Sequence, residues 1–382
     1  VNLKTKMDAS VPVDGLASPS SGVLPYRHAA LDVLRGLTIM FMILVNSPGS
    51  WEHVYAPLRH ATWHGMTPTD LVFPLFLFIV GASLYLSFAK STTSSPNRRM
   101  QKITKKAVIL FGIGLLLHWF PFQNSLSDLR IMGVLQRIAL CTLFASALLL
   151  YCSQRGYQLF ACGILLGYQC CYLMGDYAAS LSLLGNPVRQ FDILVFGEEH
   201  LWQGFGLAFD PEGLLSTIPA IVNVIIGFEC MRLYQKGKVR ELYLIAVAFL
   251  MLGGLWHFLF PVNKSLWTSS YVLFSSGLCL LLFLGVTRLH IYVQFSKIWT
   301  PFLVFGMNPL FLYALSWLML RTVDLIFVSN EKELIPLSVY LFNLMSFVLA
   351  NELASFLYSL FNMAFAGIVG FVLYQYRIFI KI

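Results

Sequence analysis

The chain has 382 residues, 58% of them hydrophobic and only 12% charged, whereas an ordinary soluble domain is about a quarter charged. Its mean hydropathy of +0.72 excludes a single water-soluble domain. The net charge of +8 does not call for nucleic acid, and no such partner is expected, because basic residues in a polytopic membrane protein first record orientation.

Residues 1–26 are rich in Ser, Pro and Gly and predict a flexible cytoplasmic tail, followed by a single transmembrane domain over 27–382. The aromatic residues lack the period-2 segments of a membrane barrel, so the fold class is all-α. At roughly 20 residues per span, ten helices can be drawn, starting near Ala29, Thr67, Ile103, Ile131, Tyr157, Pro211, Glu241, Leu266, Trp299 and Glu352. The apolar patch Leu337 to Leu349 reads as an interfacial or re-entrant helix, because counting it as a span would break the charge pattern. With the N-terminus inside, 18 basic residues fall on the cytoplasmic side and six on the outer side, with Arg35 and Arg137 inside spans. This excess places both termini in the cytoplasm. The seven cysteines show no paired spacing for zinc or a disulfide framework and read as core filler.

The first span carries Asp32 and Arg35 three apart, a spacing that lets them pair on one helix face. It ends at Asn46, before a Pro-Gly turn, where the amide can cap the helix or orient a substrate. The next loop and helix start read RHATWHGMTPTDLVFP, bringing His60, His64 and Asp70 within eleven residues at a membrane boundary. A histidine there can serve as a general base, and a carboxylate on its other ring nitrogen would fix its tautomer. The plainer reading is equally physical: Thr67, Pro68 and Asp70 compose a helix start, and interfacial histidines are ordinary.

Arg137, in GVLQRIAL, falls about seven residues inside the fourth span, where a guanidinium costs roughly 2.5–3.5 kcal/mol and needs a partner. Asp210 in FDPEG reads as the N-cap of the following helix with Pro211 at its first position. In PVNKSLWTSSY, the residues Asn263, Lys264, Trp267 and Thr268 put donors at an outer boundary, where a snorkelling lysine and an aromatic belt are also expected. Asn308, in Gly306-Met307-Asn308-Pro309, breaks the ninth span near its middle, which at membrane depth implies a polar cavity. No Walker loop, GxGxxG or GxSxG is present.

Six segments in order, LDVLRGLTIMFMILVNSPGSW, RHATWHGMTPTDLVFPLFLFIVGASL, GVLQRIAL, FDPEGLLSTIPAI, PVNKSLWTSSYVL and PFLVFGMNPLFLY, resemble the heparan-α-glucosaminide N-acetyltransferase family. The likeness runs from about Arg27 to the C-terminus and is to the compact bacterial inner-membrane form. The resemblance implies transfer of acetyl from cytosolic acetyl-CoA to the amine of a terminal glucosamine, or a related amino sugar, across the membrane. By motif, the active histidine corresponds to His60, its neighbouring acid to Asp70 and the asparagine closing the first span to Asn46. Lysosomal members carry asparagine at the position of His64, which argues against His64 as the essential base.

An amine attacking a thioester must lose a proton, and a histidine can take it. Asn46, Asn263 and Thr268 are candidate oxyanion donors, while Arg137, Asn263, Lys264, Trp267, Thr268 and Asn308 are candidates for contacting the donor or acceptor. The expected partners are acetyl-CoA as co-substrate, an amino-sugar acceptor and the lipid bilayer, with a homodimer an open option and no metal required. Two alternatives remain open: acylation of a glycan hydroxyl by the same histidine, or a sugar transporter built around the broken helix and intramembrane arginine.

Overall fold

A computed structural model describes residues 29–90, 93–123, 125–292, 297–330 and 333–380, so the tail expected over 1–26 lies outside the described residues. The helices are α1 (Ala29–Asn46), α2 (Val72–Lys90), α3 (Pro96–Trp119), α4 (Val134–Tyr151), α5 (Gln154–Leu173), α6 (Tyr177–Ser180), α7 (Pro187–Phe196), α8 (Leu214–Gln235), α9 (Val239–Trp256), α10 (Ser269–Tyr292), α11 (Thr300–Met307) and α12 (Pro309–Asp324). A hairpin of β1 (Phe327–Asn330) and β2 (Glu333–Pro336) then leads to α13 (Leu337–Ser346) and α14 (Asn351–Gln375). A helix occupies each of the ten expected segments. Seven helical segments among the described residues are long and apolar enough to cross a membrane, or eight if the bent pair α11–α12 counts as one span. Segments α3 and α5 are outside that set; α3 begins PNRRMQKITKK, which spends nearly half its length on polar and basic residues.

In lipid, helices gain little from hydrophobic burial against one another and hold together by close packing and interhelical hydrogen bonds. Helix α8 is the most enclosed of the apolar helices, and α2 lies along it. Their crossing depends on reciprocal glycines: a Cβ on Gly81 would fall on the Val224 carbonyl, and one on Gly227 on the Phe78 carbonyl. The same device joins α1 to α11, where Gly36 meets the Phe302 carbonyl and Gly306 meets that of Asp32. Nearby, Arg35 pairs with Asp32 at 2.7 Å, as its spacing predicts, and also donates to Ser83 Oγ at 2.6 Å.

The interruption expected at Asn308 is present, since α11 and α12 meet at 79°. Proline at position 309 removes a helix N–H and makes the break. The patch from Leu337 folds as α13, whose ten residues are shorter than a span. The hairpin before it is a departure from an all-α chain. Only Cys141, Cys230 and Cys279 are buried; Cys152, Cys162, Cys170 and Cys171 are exposed, so the core-filler reading holds for three of the seven.

The long segment between α5 and α8 folds over the end of the bundle that also carries His60. Here the expected cap at Asp210 is overturned. Helix α8 begins at Leu214 after Gly213, and its first N–H groups, on Leu214 and Leu215, donate to Asp192 Oδ1 of α7 at 3.1 and 3.2 Å. Asp210 instead receives both arms of Arg130, at 2.7 and 2.8 Å, and the Glu212 N–H at 2.9 Å. A tertiary ion pair has taken the carboxylate that local sequence would assign to the cap.

Candidate active site

The His60 loop is shaped by one carboxylate. Asp70 is fully buried, and its Oδ2 accepts the N–H groups of Ala61 and Thr67 and the Thr67 hydroxyl, each at 3.0 Å. Its Oδ1 lies 2.6 Å from His60 Nδ1. The capping reading and the histidine-partner reading are therefore both correct, one oxygen serving each. Because an ionised carboxylate only accepts, His60 carries its proton on Nδ1 and presents the Nε2 lone pair. The His60 side chain remains 37% exposed, so that lone pair can be reached from outside.

Electrostatics keep this imidazole neutral. Burial lowers the His60 pKa most, the Lys264 ammonium lowers it further, and Asp70 only partly opposes them, so the net displacement is downward. Lys264 also acts on Glu212. Burial would raise that carboxyl, but Lys264, Arg130 and Arg137 outweigh it and hold it below the usual carboxylate range. Arg130 bonds Glu212 at 2.9 Å as well as Asp210, so a buried ion cluster underlies the site.

Behind the pair stands a wall of large side chains. Tyr271 donates its hydroxyl to the Asp70 carbonyl at 2.6 Å and packs edge-on against Trp267, with ring centroids 5.2 Å apart. Trp267 is fully buried, donates to Asn223 Oδ1 at 3.0 Å and lies 4.7 Å beneath the Arg137 guanidinium. Arg137 also donates to Ser216 Oγ and, at 3.2 Å, to the Gly213 carbonyl. Its depth needs correction: α4 begins at Val134, so Arg137 occupies the first turn at the site end instead of a place seven residues in. Its partners are the start of α8 and an aromatic face.

The remaining sequence candidates are placed differently. Asn263 and Thr268 knit their own loop: Asn263 N–H donates to Thr268 Oγ1 at 3.0 Å, Thr268 Oγ1 donates to the Pro261 carbonyl at 2.9 Å, and Asn263 Nδ2 donates to His64 Nδ1 at 3.3 Å. Gly65 and Asn263 form a parallel bridge that fastens this loop to the histidine loop. Asn308 is buried, donates to the Ile378 carbonyl at 3.0 Å and accepts the Ile380 N–H at 2.8 Å; it anchors the C-terminal segment. Asn46 is exposed at the end of α1, joined by hydrogen bond to neither His60 nor Asp70. Sequence reading missed the contributions of Tyr271, Asn223, Asp192 and the pairing of Arg130 with Asp210 and Glu212. The opposite charges of the last three were the only signal available.

A cavity of about 410 Å³ runs along α2 from the opposite end. Arg35, Arg99, Lys102 and Lys106 line its basic part, and Phe76, Leu110, Ile138 and Leu310 its apolar part. Along α2, Ser87 stands about 25 Å from the Asp70 level and Phe76 only about 10 Å, at 1.5 Å per residue. The cavity thus reaches from the basic end toward the back of the histidine site.

The catalytic model of the family described as "Heparan-alpha-glucosaminide N-acetyltransferase" matches residues 27–194. The chain is 28% identical over 370 residues to the heparan-alpha-glucosaminide N-acetyltransferase of Homo sapiens, covering 79% of this chain and 55% of that protein. Against the protein of the same name from Mus musculus it is 27% identical over 352 residues, covering 75% and 53%. The chain spans about half the length of the curated relatives it matches. Over residues 27–194, which carry His60, Asp70, Arg137 and the first three of its six motifs, the chain resembles the catalytic region of the heparan-α-glucosaminide N-acetyltransferases.

Proposed function

We propose that the protein is a membrane N-acetyltransferase that takes acetyl from acetyl-CoA on its basic, cytoplasmic face. It delivers the acetyl group to the amine of a terminal glucosamine, or a related amino sugar, on the outer face of the inner membrane. The observation that carries this reading is the joining of two features: a neutral, exposed His60 locked to a buried Asp70, and a basic-mouthed cavity that approaches it from the other end. In this reading the ten helical segments cross the membrane with both termini inside, as the loop charges require.

The donor's phosphates meet Arg99, Lys102 and Lys106, and its pantetheine arm follows the apolar part of the cavity toward Phe76. The amine lone pair attacks the thioester carbonyl carbon while His60 Nε2 removes the amine proton. Asp70 stabilises the imidazolium that results. The tetrahedral oxyanion collapses, the C–S bond breaks, and the leaving thiolate takes up the proton from the His60 imidazolium, which returns the base to its neutral form. We take the attack as direct, with no acetyl-histidine, and a cavity that runs toward the back of the His60 site supports this route. Of the three oxyanion candidates, Asn263 donates to His64 and Thr268 donates to the Pro261 carbonyl, so the oxyanion role is assigned here to Asn46. Arg137 and Trp267 act as positioning residues, holding the start of α8 and the wall behind Asp70.

The test is transfer of radiolabelled acetyl from acetyl-CoA to glucosamine in membranes carrying the protein. Formation of N-acetylglucosamine that is lost in His60→Ala supports the reading. Labelling of hydroxyl acceptors alone would turn it into an O-acyltransferase, and glucosamine uptake without acetylation would make it a transporter.

A further inference from the structure

A separate cavity of about 440 Å³ opens beside the histidine loop, between Trp63 and the segment that carries α6 and α7. Its volume is within the range of roughly 300–1,000 Å³ common for small-molecule sites. The wall is made by the rings of Trp63 and Phe205, by Leu181 and Leu183, and by polar groups of Thr62, His64 and Ser182; it contains no Lys, Arg, Asp or Glu. The aromatic part is fixed in place. Trp63 donates Nε1–H to the Leu181 carbonyl at 2.7 Å and meets Phe205 edge to face at 6.1 Å between centroids.

His64 is equally defined. Its Nδ1 accepts from Asn263 at 3.3 Å, which leaves Nε2–H as an outward donor. Burial and the nearby His257 hold its pKa below the ordinary value, so it carries no charge at neutral pH.

A ligand for such a wall has an apolar face to lie against aromatic rings and hydroxyls to meet Thr62 and His64. A pyranose ring offers both. A sugar carboxylate or sulfate would find no charged partner among the residues of this wall. Thr62 follows His60 by two residues, so their Cα atoms are at most about 7 Å apart, and a ligand here adjoins the amine-activating base. We infer that this cavity is an acceptor subsite for an uncharged sugar ring, the one glycosidically linked to the terminal amino sugar whose amine meets His60. The inference rests on the acetyltransferase reading above and adds to it the class of the second residue.

Three acceptors test it with the full-length protein in membranes: glucosamine, a disaccharide of glucosamine on a neutral hexose, and one of glucosamine on a uronic acid. The neutral disaccharide is expected to give a kcat/KM about tenfold above each of the others. Phe205→Ala should bring that ratio near one. Ala178→Lys, at an exposed position on the cavity wall, should turn the preference toward the uronate disaccharide. Equal use of all three acceptors by the unaltered protein, or a uronate preference already present in it, would overturn the subsite.

If no acceptor is acetylated, the acetyltransferase reading fails, and binding decides the subsite separately. Saturation-transfer NMR with the neutral disaccharide, irradiating aromatic protons, should then show transfer to the second ring. Transfer confined to the amino sugar, or absent, would overturn the inference.

Discussion

Two histidines four residues apart on one loop have been given opposite surroundings. His60 faces a buried carboxylate at 2.6 Å and is held unprotonated by burial and, next, by the Lys264 ammonium; His64 faces the amide of Asn263 at 3.3 Å and lines an uncharged cavity. The carboxylate can stabilise an imidazolium and the amide cannot, so one ring is suited to moving a proton and the other to holding a neutral group. Residue type alone would not separate them. The partner on the far ring nitrogen does.

The most severe way to break this contrast is His60→Ala. It should remove acetyl transfer to the detection limit, a loss of at least about 10²–10⁴-fold, while the protein still inserts and folds. Activity and detergent-solubilised monodispersity measured together check this. If His64→Ala were the dead variant and His60→Ala the active one, the roles would be reversed.

Asp70→Asn comes next. It keeps the shape of the loop but not the charge, so kcat should fall by about 10²-fold with little change in the apparent affinity for acetyl-CoA. A comparable rise in KM for acetyl-CoA would show that Asp70 shapes the donor path instead.

Lys264→Gln sharpens the contrast through pH. Lys264 pushes the His60 pKa down, so removing it lets that pKa rise toward the ordinary value. A base works only when unprotonated, so the acid limb of kcat/KM should move to higher pH in the variant. An unmoved limb would mean that the limb belongs to another group.

The smallest effect is expected from His64→Asn. Acetylation of free glucosamine should stay within about threefold of the unaltered protein, because this ring serves neither proton transfer nor the Asp70 network.

How much of this was legible in the sequence follows from the range of each interaction. The helices were legible because apolar runs of about 20 residues suffice. The His60 and Asp70 pair was legible because its members lie ten residues apart within one turn-rich segment, where capping and proton transfer draw on the same carboxylate. Asp192 capping α8 and Arg130 pairing with Asp210 were not, because they join segments 22 and 80 residues apart. In the case of Asp210, a sound local cap signal lost to a distant guanidinium. The depth assigned to Arg137 was wrong because apolar residues before Val134 belong to a loop, which hydropathy does not distinguish from helix.

Transfer across the bilayer is tested most directly in sealed vesicles of known orientation, with acetyl-CoA confined to one side and glucosamine to the other. N-acetylglucosamine should form when acetyl-CoA is on the side of Arg99 and Lys102 and glucosamine is on the side of His60, and should not form with the two exchanged. Product made only when both substrates share one side would contradict a reaction that joins the basic cavity to the His60 face.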